Sequence, residues 1–163
     1  MVSRLIMLAF LLTVSPVLAQ SVPNDVLMGV IVHTSFAHDR GDMVDCVEYD
    51  GVKYQPEEAA NAIIPKIGWN NQSKREDIAW AWVTRVGLVG STLLKQKPEE
   101  FTRAEQEFET PKVHLFEDGS VEVVLWYRHP VGMLPGHHYS KRNYKFSSEG
   151  RLTVESLADV RIP

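Results

Sequence analysis

The feature that most restricts how this chain can fold is a change of period at Pro111. Before it, apolar residues recur mainly at helical spacing; after it they alternate. Residues 112–129, KVHLFEDGSVEVVLWYRH, predict two strands joined by a tight turn at Asp118-Gly119. Residues 137–147, HHYSKRNYKFS, predict a third strand. A fourth, residues 151–157, RLTVESL, follows the turn Ser148-Glu149-Gly150. Strands joined by connections this short pair antiparallel with their chain neighbours, because a parallel pairing needs a crossover of about a dozen residues or more.

The N-terminal half reads differently. Asn24-Asp25 followed by Leu27, Val30, Ile31 and Thr34 predicts a helix over 24–38, although the β-branched run Val30-Ile31-Val32 fits a strand nearly as well. Residues 44–54, VDCVEYDGVKY, alternate about Asp50-Gly51 and predict a hairpin. Pro56-Glu57-Glu58 opens a short helix, which Pro65 closes. Ser73 and Glu76 have capping-box spacing, and Ile78, Trp82, Val86, Val89 and Leu93 extend a helical stripe from there. Gly87 and Gly90 interrupt it at a cost of up to ~1 kcal/mol each relative to alanine, which predicts close packing of another backbone. Trp80 and Trp82 stand about 200° apart at helical pitch, so only one can face the core squarely. Pro98-Glu99-Glu100 predicts one more short helix, with Phe101, Ala104 and Phe108 inward. Helices first and a meander last define an α+β fold, with N-terminal helices packed on a C-terminal antiparallel four-stranded meander.

The first residues set the expected compartment. Arg4, the unbroken apolar run 5–12 and the small-residue ending Val17-Leu18-Ala19 have the layout of a secretory signal peptide. The run is too short to span a bilayer, which takes ~20 apolar residues. Residues 1–19 are expected to be a signal peptide cleaved after Ala19, leaving 20–163 as a single secreted or periplasmic domain with no transmembrane segment. A chain of this size buries a core without staples, and its single cysteine, Cys46, permits no internal disulfide. The net charge of −4 argues against a general attraction to nucleic acid. Asn71-Gln72-Ser73 is a glycosylation sequon should the source be eukaryotic.

A resemblance emerges at the first hairpin. Cys46-Val47-Glu48-Tyr49-Asp50-Gly51-Val52-Lys53-Tyr54, then Glu57-Glu58-Ala59-Ala60, Lys66 and Glu76-Asp77-Ile78, resembles a family of small secreted bacterial proteins of unknown function. In that family a cysteine-led hairpin precedes a Glu-Ala helix and then a second helix. The likeness covers residues 25–95; Glu48 and Asp50 depart from the pattern, and the meander lies outside it. It implies a compartment and no activity.

Candidate chemistry concentrates in residues 128–145. From Val123 to Ser148 there is no acid, while Arg128, Lys141, Arg142 and Lys145 are cationic and Tyr127, Tyr139 and Tyr144 interleave with them. Such a block creates a local field that draws anionic partners. The expected ligand-binding residues are Arg128, His129, His137, His138, Tyr139, Lys141, Arg142 and Tyr144, with an anionic ligand or membrane surface as partner. The apolar tip 131–134 would dip into a lipid interface. The plainer alternative is a solvated face whose cations pair with Glu122, Glu149 or the helices.

A metal site of His129, His137 and His138 is a further alternative, although neighbouring strand residues point to opposite faces and His137 and His138 cannot both converge. The alternative enzyme is a cysteine-dependent hydrolase using Cys46 and His138, although Cys46 falls within a strand and no helix N-terminus activates it. His33 and His38 flank the end of the first predicted helix and need no special role. No HExxH, no glycine-rich phosphate loop and no nucleophile elbow around Ser35, Ser91 or Ser156 is present. A non-catalytic binding or envelope-associated module without a cofactor is the reading these features favour.

Overall fold

A computed structural model of the chain describes residues 26–37, 42–103, 107–129 and 136–163. The expected signal segment, the cap pair Asn24-Asp25, His38, Ala104 and the loop tip 131–134 lie outside the described residues.

The first predicted helix is replaced by a turn and a strand. Strand β1 (Ile31–Ala37) pairs antiparallel with β2 (Asp42–Tyr49), residue by residue from Ile31↔Glu48 to Ala37↔Asp42. The stiff β-branched run wins here because a seven-residue ladder satisfies its backbone groups against a neighbouring strand. β2 turns through Asp50 (φ 53°) and Gly51 (φ 73°) into β3 (Val52–Tyr54), the two-residue hairpin expected of Asp-Gly.

Helix α1 (Pro56–Ile63) starts on its proline with Glu57 and Glu58 in the first turn, and buries Ala59, Ala60 and Ile63. Pro65 falls in the 3₁₀ turn Ile64–Lys66 that ends it. Helix α2 runs only from Arg75 to Trp82. Ser73 does not cap it. Instead Asn71 Oδ1 accepts from the Ser73 amide at 3.2 Å and the Ser73 hydroxyl at 2.9 Å, capping the 3₁₀ turn Gln72–Lys74 that leads into α2. Beyond Trp82 the chain widens into a π turn, Val83–Gly87, and enters strand β4 (Thr92–Leu93) rather than continuing as helix to Leu93.

Two contacts accompany that break. Thr84 Oγ1 donates back to the Trp80 carbonyl at 2.8 Å, and Gly87 lies against the Tyr144 ring, where an added Cβ would stand 3.2 Å from Cε1. The close neighbour at Gly87 is thus a tyrosine ring and not the backbone expected there. Trp82 is buried and Trp80 only partly so. Among the described residues the helix predicted at Pro98 does not form: Phe101 is buried, but from an irregular stretch, 98–103.

Strands β5 (Lys112–Leu115), β6 (Val121–Arg128), β7 (His137–Phe146) and β8 (Leu152–Ile162) form the expected meander, with β8 longer than its sequence signal. β4 adds a fifth strand, sharing one edge of β6 with β5: β4 pairs at Tyr127–Arg128 and β5 at Val121–Val124. The fold is α+β, with two antiparallel sheets of three and five strands and two short helices. No helix among the described residues is long and apolar enough to cross a membrane.

Each face of the larger sheet has its own core. Val121, Val123, Leu125, Tyr144 and Phe146 pack with α1, α2 and Val47 of β2. On the opposite face Trp126, Tyr139 and Val160 are covered by Phe101, flanked by Leu94 and Phe108. The Phe101 ring meets Trp126 edge-on at 5.2 Å and Tyr139 at 5.0 Å.

Candidate functional site

Strand pairing divides the predicted ligand-binding block between two faces. Residues directly opposite in a ladder share a face, and successive residues alternate. His129 faces the helix side beside His138, to whose carbonyl its amide donates at 2.8 Å. Below them Tyr127 pairs with Ser140, Leu125 with Arg142 and Val123 with Tyr144 on the same face. Arg128, His137, Tyr139 and Lys141 occupy the other face. His137 therefore does not join His129 and His138, as the alternation required.

Four residues of the block thus remain on the helix side: His129, His138, Arg142 and Tyr144. The register brings Asp159, opposite Ser140, and Ser156, opposite Arg142, to the same face. These were not legible as site residues. Leu157 is an extra residue in β8, where pairing passes from Lys141↔Ala158 to Arg142↔Ser156. Simple alternation from Leu152 and Val154 would have put Asp159 on the other side.

The upper end of this face is a closed polar network. His138 Nε2 donates to Asp159 Oδ1 at 2.5 Å, and Ser140 Oγ donates to Asp159 Oδ2 at 3.1 Å. With its one proton committed to Asp159, Ser140 accepts from His129 Nε2, 2.6 Å away. The two imidazoles stack with centroids 4.1 Å apart and planes 18° from parallel. Arg142 donates to Ser156 Oγ and stands 3.7 Å from Asp159 Oδ2. Burial, then the neighbouring His138, lowers the pKa of His129 from its usual value. For Asp159, burial pushes upward, but the hydrogen bonds from His138 and Ser140 with the nearby cations outweigh it and hold the carboxyl below its usual range.

Serine, histidine and aspartate together suggest a hydrolase triad, and the geometry argues against one. Ser140 is fully buried, so its hydroxyl cannot reach a substrate carbonyl. Asp159 also binds the serine directly instead of orienting the second ring nitrogen of its histidine partner.

Beside this network a groove of about 470 Å³ runs between the π turn and the sheet. Asp45, Trp82, Gly87, Tyr127, Arg142 and Tyr144 are among the residues lining it. Asp45 Oδ1 is buried with no hydrogen-bond partner among the described residues. An unpaired buried acceptor is costly, so it marks a position where a donor from outside would be stabilised. Burial, then the adjacent Tyr127, raises the Tyr144 pKa, keeping the phenol neutral.

No protein-family model, curated protein or solved structure matches this chain.

The fixed cations have acidic partners that are distant in sequence. Lys141 lies 3.4 Å from Glu109, Lys145 2.8 Å from Glu155, and Arg142 beside Asp159. On the far face the Tyr139 hydroxyl donates to Glu100, and Arg128 lies near both. Burial and that carboxylate push Tyr139 up to about 12. Glu155 and Asp159 come from β8, and Glu100 and Glu109 from the chain before β5; of the acids expected from the sequence, Glu122 stands opposite Lys145 in the ladder and acts on it.

Cys46 and His138 are not brought together. Asp45 lines the groove, so alternation turns Cys46 to the outer face of the three-stranded sheet. There it is half-buried opposite His33, whose Nε2 lies 3.1 Å from Glu48 Oε2.

Proposed function

We propose that this protein is an exported, non-catalytic binding module whose ligand is a small amphipathic molecule held in the groove between the π turn and β7–β8. The observation that carries the reading is the buried oxygen of Asp45, which has no partner among the described residues, in a groove that Arg142 also lines. A ligand with an anionic group for Arg142, an N–H or O–H for Asp45 and a flat apolar body against Tyr144 and Val86 complements that lining. Arg142 and Tyr144 are the members of the basic-aromatic block on which this reading draws. Lys141 and Lys145, which face away and have acidic partners, are not part of it. Export rests on the N-terminal signal pattern and agrees with the resemblance to small secreted bacterial proteins.

Anilinonaphthalene sulfonate has the required sulfonate, secondary amine and rings, and reports binding by fluorescence. The folded protein is expected to bind it saturably, one per chain. Arg142→Met should weaken binding about tenfold, the equivalent of one charge-assisted hydrogen bond. Lys145→Met should leave it unchanged. Non-saturable binding, or equal affinity in the Arg142 variant, would remove the groove from consideration. Salt-sensitive retention on heparin that survives Arg142→Met would point instead to the anionic surface as partner.

A further inference from the structure

We propose that His129, His138 and Asp159 form a binding site for a divalent transition-metal ion of the zinc or copper type. The site does not depend on the groove ligand. One donor comes from the end of each of three adjacent strands: His129 just beyond β6, His138 in β7 and Asp159 in β8. One ligand atom from each lies within 4.8 Å of the other two. The ladder fixes the three backbones in one sheet, which positions a ligand set more firmly than a loop would.

The chemistry of the donor set selects the ion. Tetrahedral zinc takes imidazole nitrogen at ~2.0–2.1 Å and carboxylate oxygen at ~2.0–2.2 Å, so closing on it requires the two imidazoles to rotate out of their near-parallel stack and His138 to release Asp159 Oδ1. Two imidazoles and one carboxylate leave the fourth position open. Arg142 and the exposed Arg161 supply positive charge nearby, which disfavours ions held by charge alone. Calcium and magnesium ask for several oxygens and are excluded by this set; borderline ions that favour imidazole are not.

The surroundings also suit a metal. Ser140 and Arg142 both address Asp159 Oδ2, leaving Oδ1, now held by His138, to turn to an ion. Outer hydrogen bonds of this kind orient a ligating carboxylate and tune its basicity. His137 faces the opposite side of β7 and takes no part. The site thus shares two histidines with the triple-histidine alternative and replaces the third with a residue from β8.

The test is calorimetric titration of untagged full-length protein with Zn²⁺ near neutral pH, with Mg²⁺ and Ca²⁺ for comparison. One Zn²⁺ per chain and no saturable binding of Mg²⁺ or Ca²⁺ are expected. His138→Gln and Asp159→Asn should each weaken Zn²⁺ binding at least tenfold, and His137→Gln should not. Should a variant fail to fold, imidazole ¹⁵N shifts of the wild-type protein decide instead. Zn²⁺ should move the signals of His129 and His138 and leave those of His33, His114 and His137 in place. No saturable binding at about 1 mM Zn²⁺, affinity unchanged in His138→Gln, or shifts confined to other histidines would overturn the proposal and leave a hydrogen-bonded network only.

Discussion

Phe101→Ala is the sharpest test of how the far face of the large sheet is held. Phe101 is the buried side chain that ties the irregular stretch 98–103 to the sheet, and it is 3% exposed. Losing a buried phenylalanine forfeits ~1.5–3 kcal/mol of transfer free energy. Its edge-on contacts with Trp126 and Tyr139 add ~0.5–1.5 kcal/mol each. An irregular segment can partly collapse into the space, which offsets some of this loss. The expected destabilisation is about 3–4 kcal/mol, or a fall in Tm of roughly 6–16 °C for a chain of this size. Phe101→Leu keeps most of the volume and loses the ring geometry, so it should cost about 1–2 kcal/mol. Urea denaturation followed by far-UV circular dichroism measures both. A loss below about 1 kcal/mol for the alanine variant would show that the segment is not anchored by this ring.

Three further outcomes are expected. Asn71→Ala should cost about 1 kcal/mol in the same denaturation assay and exceed Ser73→Ala, because Asn71 supplies the acceptor. Gly87→Ala should destabilise by about 1 kcal/mol and weaken anilinonaphthalene sulfonate binding, since the Tyr144 ring that must yield is itself buried and lines the groove. The third concerns acid. The Tyr139 hydrogen bond lowers the pKa of Glu100, and Lys141 lowers that of Glu109. The unfolded chain therefore binds more protons in that range, so these contacts stabilise fully above the usual glutamate value of 4.5 and are lost as pH falls through the lower folded values. Amide protection of residues 98–103 and 107–111, corrected for the intrinsic exchange rate, should fall below that pH in the wild-type protein, and less steeply in Glu100→Gln/Glu109→Gln. Equal pH slopes in the two proteins would refute the assignment.

Elements set by local chemistry could be read directly. Asp50-Gly51 and Asp118-Gly119 mark turns whatever surrounds them, and Pro56 with its two glutamates starts α1 on helix energetics alone. Tertiary contacts overrode weaker local signals elsewhere. The stripe from Ile78 to Leu93 is helical by period, yet Gly87 meets Tyr144, from β7, and the helix yields to a π turn. Residues 24–38 carried both periods, and only pairing with β2 decided between them. At the site, His129 and His138 could be foreseen together because a hairpin loop joins their strands. Asp159 could not, because its face depends on an extra residue two positions earlier. Asp45 carried no signal either: a carboxylate in a short hairpin strand looks like any solvated charge until a second sheet closes over it.

That extra residue, Leu157, separates two phases of one strand. Below it, Leu152, Val154 and Ser156 keep step with the core rows of β7; above it, Asp159 keeps step with Ser140. Pairing on either side is already complete without Leu157, whose side chain is 45% exposed. Its deletion would regularise β8 while leaving both rows opposite their present partners. Position 157 is therefore a place within the sheet where the gene can lose a codon and keep its register: a shorter β8 there would preserve the polar site and the packed core together.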